Sequence, residues 1–406
     1  MINKKASLPL LFSVVFMDMV GFGFIIPLIP DYIRAFGGAP SLAGVLMASY
    51  ALGQFFAAPI VGRLSDRWGR KPLFLFSIGG TFLSLLLLGS ARSLPLIFAS
   101  RILDGLTGGN ITVAQSYIVD ITDDRNRAKG LGIIGMAFGF GFIIGPLFGG
   151  VLSRFGLSAP AFVAAGIAAL NLVLITAILP ESLSTERRED LQRNPRRAFS
   201  GALLLETLRR KGTGTVLRLS MVYSFAFTMF ESMFALSAAE ALGVSPSTRG
   251  WLLAYIGVLV ALVQGGGIGY LAKRFDERRL GAVAISTVAV SLALYALAPS
   301  VPTLMLALAP LSLGSGVAST MLRALLTKSV SREASGGTLG LAASIDSINR
   351  VLAPLAGGAL LAWAGPRSPG LVASALAGLT AWYAWKRLVR EDCLAKDAAA
   401  GSCEDE

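Results

Sequence analysis

Apolar stretches long enough to cross a lipid bilayer recur from one end of this sequence to the other, and few folds can accommodate that recurrence. Each runs for roughly twenty residues, the length a helix needs to traverse a hydrocarbon core about 30 Å thick. Backbone groups in lipid must find their hydrogen bonds within the segment, which favours helices. A closed barrel would instead need short strands of alternating polarity, and these runs are continuously apolar. The composition agrees: 54% of residues are hydrophobic and 15% are charged, against about 25% charged in ordinary soluble domains. The expected spans are 8–30, 41–62, 72–91, 95–118, 128–153, 159–180, 215–238, 247–270, 280–299, 302–323, 338–363 and 368–388. The first run is too long for the core of a cleavable signal and carries Asp18, so it is read as span 1. The expected fold is an all-α membrane protein of twelve transmembrane helices in two pseudo-symmetric six-helix bundles.

The net charge of +12 follows the connections rather than a nucleic-acid-binding face. Lys4, Lys5, Arg63, Arg67, Arg70, Lys71, Arg125, Arg127 and Lys129 fall on one side of the membrane. So do the linker arginines between 187 and 210, then Lys273, Arg274, Arg278 and Arg279, and finally Lys386 and Arg387. The opposite side holds little more than Arg34, Arg92, Arg154, Arg249 and Arg367. The positive-inside rule then places both termini in the cytoplasm of a multi-pass protein, with a bacterial inner membrane as the expected location. No nucleic-acid partner is implied.

The two cysteines, Cys393 and Cys403, lie in the polar tail 391–406, where a reducing compartment keeps them as thiols. Histidine is absent, which removes the commonest metal ligand and the usual near-neutral proton carrier. No cofactor or metal is implied, and no nucleophile–base pair or P-loop suggests an enzyme or an ATP-driven pump. The sequon Asn110-Ile111-Thr112 falls inside span 4, out of reach of glycosylation.

A polar stretch at 181–214, beginning after Leu179-Pro180-Glu181-Ser182, divides the chain into a bundle at 1–180 and a second at 215–390. The halves align at a nearly constant offset. Gly62–Arg70 lies over Gly269–Glu277, Pro95 over Pro302 and Gly109 over Gly316. One residue of slippage later, Gly145-Pro146 lies over Ala353-Pro354. Parallel repeats with a substrate path between them recur among transporters.

Four motifs carry a family resemblance. Gly62-Arg63-Leu64-Ser65-Asp66-Arg67-Trp68-Gly69-Arg70-Lys71 joins spans 2 and 3. Gly139-Phe140-Gly141-Phe142-Ile143-Ile144-Gly145-Pro146-Leu147-Phe148-Gly149-Gly150 lies in span 5. Asp18 to Pro30 lies in span 1, and Arg101-Ile102-Leu103-Asp104-Gly105-Leu106-Thr107-Gly108-Gly109 in span 4. At these motifs the chain resembles the major facilitator superfamily, and within it the twelve-helix drug/proton antiporters that include the tetracycline efflux pumps. The resemblance implies a conformational latch at Gly62, Asp66, Arg67, Gly69 and Arg70. It implies helix packing at Gly139, Gly145, Pro146, Gly149 and Gly150, in a pattern typical of exporters, and a role for Arg101 in proton transfer. It also implies a monomer. Tetracycline pumps carry an acid in span 3, a histidine in span 8 and an acid in span 9. The matching positions here are Ser84 and Val260, and span 9 has no acid, so tetracycline is not the expected substrate.

Charges inside the spans are costly and mark function. The candidates for proton coupling are Asp18, Arg101, Asp104, Glu231, Asp346 and Arg350. Arg101 with Asp104, and Asp346 with Arg350, share helix faces and can pair; Asp18 and Glu231 lack a partner at helical spacing. Asp18 ranks first as the carrier. Aromatic walls for an amphipathic substrate are expected from Phe22, Tyr50, Phe138, Phe142, Tyr223, Phe227 and Phe230, with Gln54, Gln115, Gln264 and Asn349 as polar contacts. The expected function is proton-coupled efflux of small amphipathic or drug-like compounds by alternating access. The alternative is a transporter, outward or inward, for one metabolite such as a sugar, a siderophore or a lipid.

Overall fold

The computed structural model describes residues 4–123, 126–184, 186, 188–189, 206–209, 212–329 and 332–390. The polar tail with its two cysteines, and most of the linker, lie outside the described residues. All regular elements among the described residues are helical. The chain runs through α1 (Lys4–Ile25), a tight turn at Ile26–Leu28, α2 (Ile29–Ala35), α3 (Leu42–Trp68), α4 (Arg70–Gly89), α5 (Leu94–Thr107), α6 (Asn110–Ile121), α7 (Arg127–Leu152) and α8 (Ser158–Ile178). It continues with α9 (Thr213–Leu242), α10 (Pro246–Leu262), a wide turn at Val263–Gly267, α11 (Ile268–Arg274), α12 (Glu277–Leu297), α13 (Val301–Lys328), α14 (Arg332–Ala364) and α15 (Ser368–Ala384). Nine of the helical segments among the described residues are long and apolar enough to cross a membrane. Of the other expected spans, span 4 is divided between α5 and α6. Span 11 lies in the more polar α14, and span 12 in the shorter α15 with its continuation Trp385–Arg390.

Sequence explains the boundaries. Gly69 separates α3 from α4 with φ +109°, a backbone geometry that side chains beyond glycine avoid. Pro95 and Pro302 sit in the first turns of α5 and α13, where their missing N–H costs nothing. Asp276 caps α12 by accepting from the backbone N–H groups of Arg278 and Arg279, each at 3.0 Å.

Two compact units emerge, Met1–Arg197 with Ala238–Gly257, and Ala198–Ser237 with Val258–Glu406. In the first, α1 packs along α7 and α8, α3 along α5, and α4 along α5 and α8. The α1–α7 seam depends on small residues: a Cβ on Gly145 would stand 2.7 Å from the Gly23 Cα, closer than any real contact. In the second unit, α12 packs against α13 and α15. Those pairings, of spans 9 with 10 and 9 with 12, repeat the pairings of spans 3 with 4 and 3 with 6.

Candidate functional site

The first unit buries a polar network around a broken helix. Span 4 stops at Thr107 and restarts at Asn110; Gly108 (φ −71°, ψ 73°) and Gly109 (φ −123°, ψ 0°) leave helical geometry between them. Ser77 of α4 holds the break, donating to the Thr107 carbonyl and accepting from the Gly109 N–H at 3.1 Å. Asn110, first residue of α6, donates its amide to the Asp18 carboxylate of α1. Asp18 is half-buried and shares a small crevice with Asn110 and the apolar side chains of Val14, Val15, Phe74, Ile78 and Ile111.

One turn before the break, Arg101 and Asp104 pair at 3.2 Å, as their spacing allows. Both are about nine-tenths buried or more, at 5% and 6% exposure. The remaining valences are also met. Arg101 donates to Ser84 Oγ at 3.1 Å, and Asp104 accepts from Thr81 Oγ1 at 2.9 Å. Ser84, which stands where the resemblance expected an acid, is a ligand of the arginine instead. Asp104 lies within electrostatic reach of Asp18.

Beside this network Phe22 stands 5.5 Å from Tyr50 and 6.3 Å from Phe142, ring centre to ring centre. Gln54 donates to the Tyr50 hydroxyl at 3.2 Å. The structure therefore brings Phe22, Tyr50, Gln54 and Phe142 together. Phe138 is half-buried on α7, and Gln115 is exposed on α6.

The second unit arranges its candidates differently. Tyr223, Phe227, Phe230 and Phe234 form a ladder on α9, with successive centroids 6.1, 5.8 and 5.7 Å apart, and Tyr295 closes on Phe230 at 5.0 Å. Ser224 donates to Asp346 at 2.6 Å, and Asn349 donates to the Met221 carbonyl at 3.1 Å. Asn349 is thus buried and occupied by backbone. Glu231 and Arg350 are exposed and within electrostatic reach of each other. The opposite charge nearest in effect to Glu231, which has no partner at helical spacing, stands on another helix, α14. Gln264 is exposed in the wide turn Val263–Gly267.

The loop between α3 and α4 is held by a buried arginine. Arg70 is 0% exposed. It donates to Ser65 Oγ at 2.9 Å, Asp66 at 2.6 Å and Asp120 at 2.8 Å. Glu181, in the Leu-Pro-Glu-Ser stretch after α8, accepts from the backbone N–H groups of Arg70 and Lys71 at 2.8 and 3.0 Å. A carboxylate there satisfies open donors and meets the positive end of α4. Gly62 is half-buried and Arg67 exposed. Of the packing residues, Gly145 and Gly149 meet the backbone of α1, Gly150 meets Pro246 and Ser247, and Pro146 is buried, its carbonyl meeting Gly250; open space surrounds Gly139. Sequence reasoning missed Asn110, Asp120 and Glu181. It also missed the pairing of Asp31 with buried Arg249 and of Arg34 with Glu240 at 2.5 Å, all inside the first unit.

The sequence model of the Major Facilitator Superfamily matches residues 11–233 and 216–400. The chain belongs to the major facilitator superfamily. It is a multi-pass membrane transporter, in a class of proteins that are not enzymes. It is 31% identical over 364 residues to the tetracycline resistance protein, class C, of Escherichia coli, covering 87% of this chain and 89% of that protein. It is 28% identical over 365 residues to multidrug resistance protein 2 of Bacillus subtilis (strain 168), covering 88% and 89%. Among solved structures, this superfamily member resembles a bacterial homolog of the human lysosomal transporter Spinster in an inward-facing and occupied conformation. The TM-score is 0.78 at 16% identity, covering 94% of this chain and 96% of that one. The human organic anion transporter MFSD10 (TETRAN) gives 0.69 at 22% identity, covering 95% and 100%. At those identities the structural likeness speaks for the fold.

Proposed function

We propose that this transporter exports small amphipathic compounds in exchange for protons, as a monomer with both termini in the cytoplasm, alternating access between the two faces of the membrane. The observation that carries the reading is Asp18, a carboxylate within a transmembrane helix, hydrogen-bonded to Asn110 at the break in span 4 and one turn from the Phe22–Tyr50–Phe142 cluster. An acid inside a span is retained at a cost and points to an ion or substrate path. With no histidine in the chain, a carboxylate is the available proton carrier. Arg101 and Asp104 shape the field around it; Glu231, Asp346 and Arg350 offer charge to the substrate. The ladder from Tyr223 to Phe230 supplies apolar contact, and the loop around Arg70 acts as the latch. Relatives named for tetracycline and multidrug resistance support a drug-like substrate class. Tetracycline itself fits poorly, because Ser84 serves Arg101 and Val260 replaces a histidine.

Glu231 and Arg350, exposed and of opposite charge, favour a second reading: a polar or zwitterionic metabolite as the substrate. Purified protein in liposomes separates the two. The export reading expects ethidium to move against its own gradient when a pH step is imposed, and to stop when an ionophore collapses the step. Ethidium flux indifferent to the step would remove proton coupling. No flux of lipophilic cations alongside flux of one polar metabolite would establish the second reading.

A further inference from the structure

Asn110 stands in no motif that pointed to proton chemistry, yet it is the one polar side chain that shares the apolar crevice with Asp18. Its own orientation is fixed. The Asn110 Oδ1 accepts from the backbone N–H of Ile111 at 2.8 Å, so the amide nitrogen is the end turned to Asp18. An amide with its oxygen committed can only donate through the other end. The side chain starts from the first residue of α6, and that start is set by Gly108, Gly109 and their clasp by Ser77. The other charge facing Asp18 is Asp104 of α5, already engaged by Arg101 and Thr81. In the second half of the chain Val317 occupies the place of Asn110, and α13 runs unbroken through it.

We propose that Asn110 is a positioning residue for Asp18: the broken helix aims its amide at the carboxylate, fixes the carboxylate's orientation while charged, and sets the pH at which Asp18 exchanges its proton. This rests on Asp18 being the carrier, as proposed above. A neutral carboxyl can still accept from the amide, but a carboxylate accepts more strongly, so the amide favours the charged form. A hydrogen bond to a charged group is worth enough to move a titration midpoint by about one pH unit.

The test is an infrared titration of the full chain in detergent, which needs no substrate. The Asp18 carboxyl band is assigned by its loss in Asp18→Asn. Its midpoint is expected to rise by about one pH unit in Asn110→Ala and Asn110→Leu, and to return to within a few tenths of wild type in Asn110→Gln, which keeps the amide. Asn110→Leu preserves volume and Asn110→Ala avoids any clash, so one of them reports even if the other folds poorly. An unmoved midpoint in both, with or without a lower melting temperature, overturns the positioning role and leaves the carrier assignment standing. If no band is lost in Asp18→Asn at any pH, the carrier assignment falls and this inference with it.

Discussion

Arg101 and Leu308 hold the same place in the two halves of the repeat, as do Asp104 and Leu311, Thr81 and Val288, and Asn110 and Val317. In the first half Arg101, Asp104 and Thr81 form a buried polar cluster just before the break in span 4, and Asn110 just after it bonds to Asp18. In the second, Leu308, Leu311 and Val288 are each 0% exposed, Val317 is 7% exposed, and α13 continues without interruption. The same packing sites therefore accept leucine and valine, and apolar residues of similar volume are commonly neutral or stabilising in place of a buried ion pair. By that comparison, packing alone gives no reason for Arg101 and Asp104. Their presence in one half alone separates the two: at these positions the first half keeps a buried pair with hydrogen-bond partners, whereas the second half is apolar there and carries exposed charge at Glu231 and Arg350.

Copying one half onto the other breaks or sharpens this contrast. The largest effect is expected from Arg101→Leu alone, which strands Asp104 in a buried site and costs about 3–5 kcal/mol. Adding Asp104→Leu should recover most of that stability without restoring transport, as seen by denaturant melting and liposome flux on the same preparations. Double-mutant recovery of both would mean the pair is structural. The reverse graft comes next. Leu311→Asp places an acid in the second half with no basic partner and should cost about 3 kcal/mol; Leu308→Arg added to it should return part of the loss. Smaller is Glu181→Ala, which uncaps α4 and should cost about 1 kcal/mol in the first unit only. Smallest for stability are Glu231→Gln and Arg350→Gln, within about 0.5 kcal/mol because both side chains are exposed. Their effect should appear as opposite several-fold changes in the transport of cationic against anionic dyes.

Segmentation by apolar runs made the helical membrane fold legible, since length and continuity alone exclude most alternatives. Pairing was legible where it followed helical spacing, as with Arg101 and Asp104. It was hidden where it crossed between helices. Spacing grouped Asp346 with Arg350, whereas Asp346 accepts from Ser224 on α9 and Arg350 lies within electrostatic reach of Glu231. Asn110 read only as an unusable sequon, because nothing local shows that Gly108 and Gly109 interrupt the helix: the matching Ser315-Gly316 in α13 does not. Asp120 and Glu181 lie 50 and 111 residues from Arg70 along the chain, so nothing local marks them as acceptors from its side chain and its backbone N–H.

The most direct measurement compares uphill transport with exchange for Asp18→Asn in proteoliposomes. If Asp18 carries the proton, the variant will exchange internal for external ethidium at a rate comparable to wild type, yet fail to concentrate it when a pH step is applied. Concentration of ethidium by Asp18→Asn to the wild-type level under the same step would contradict the account.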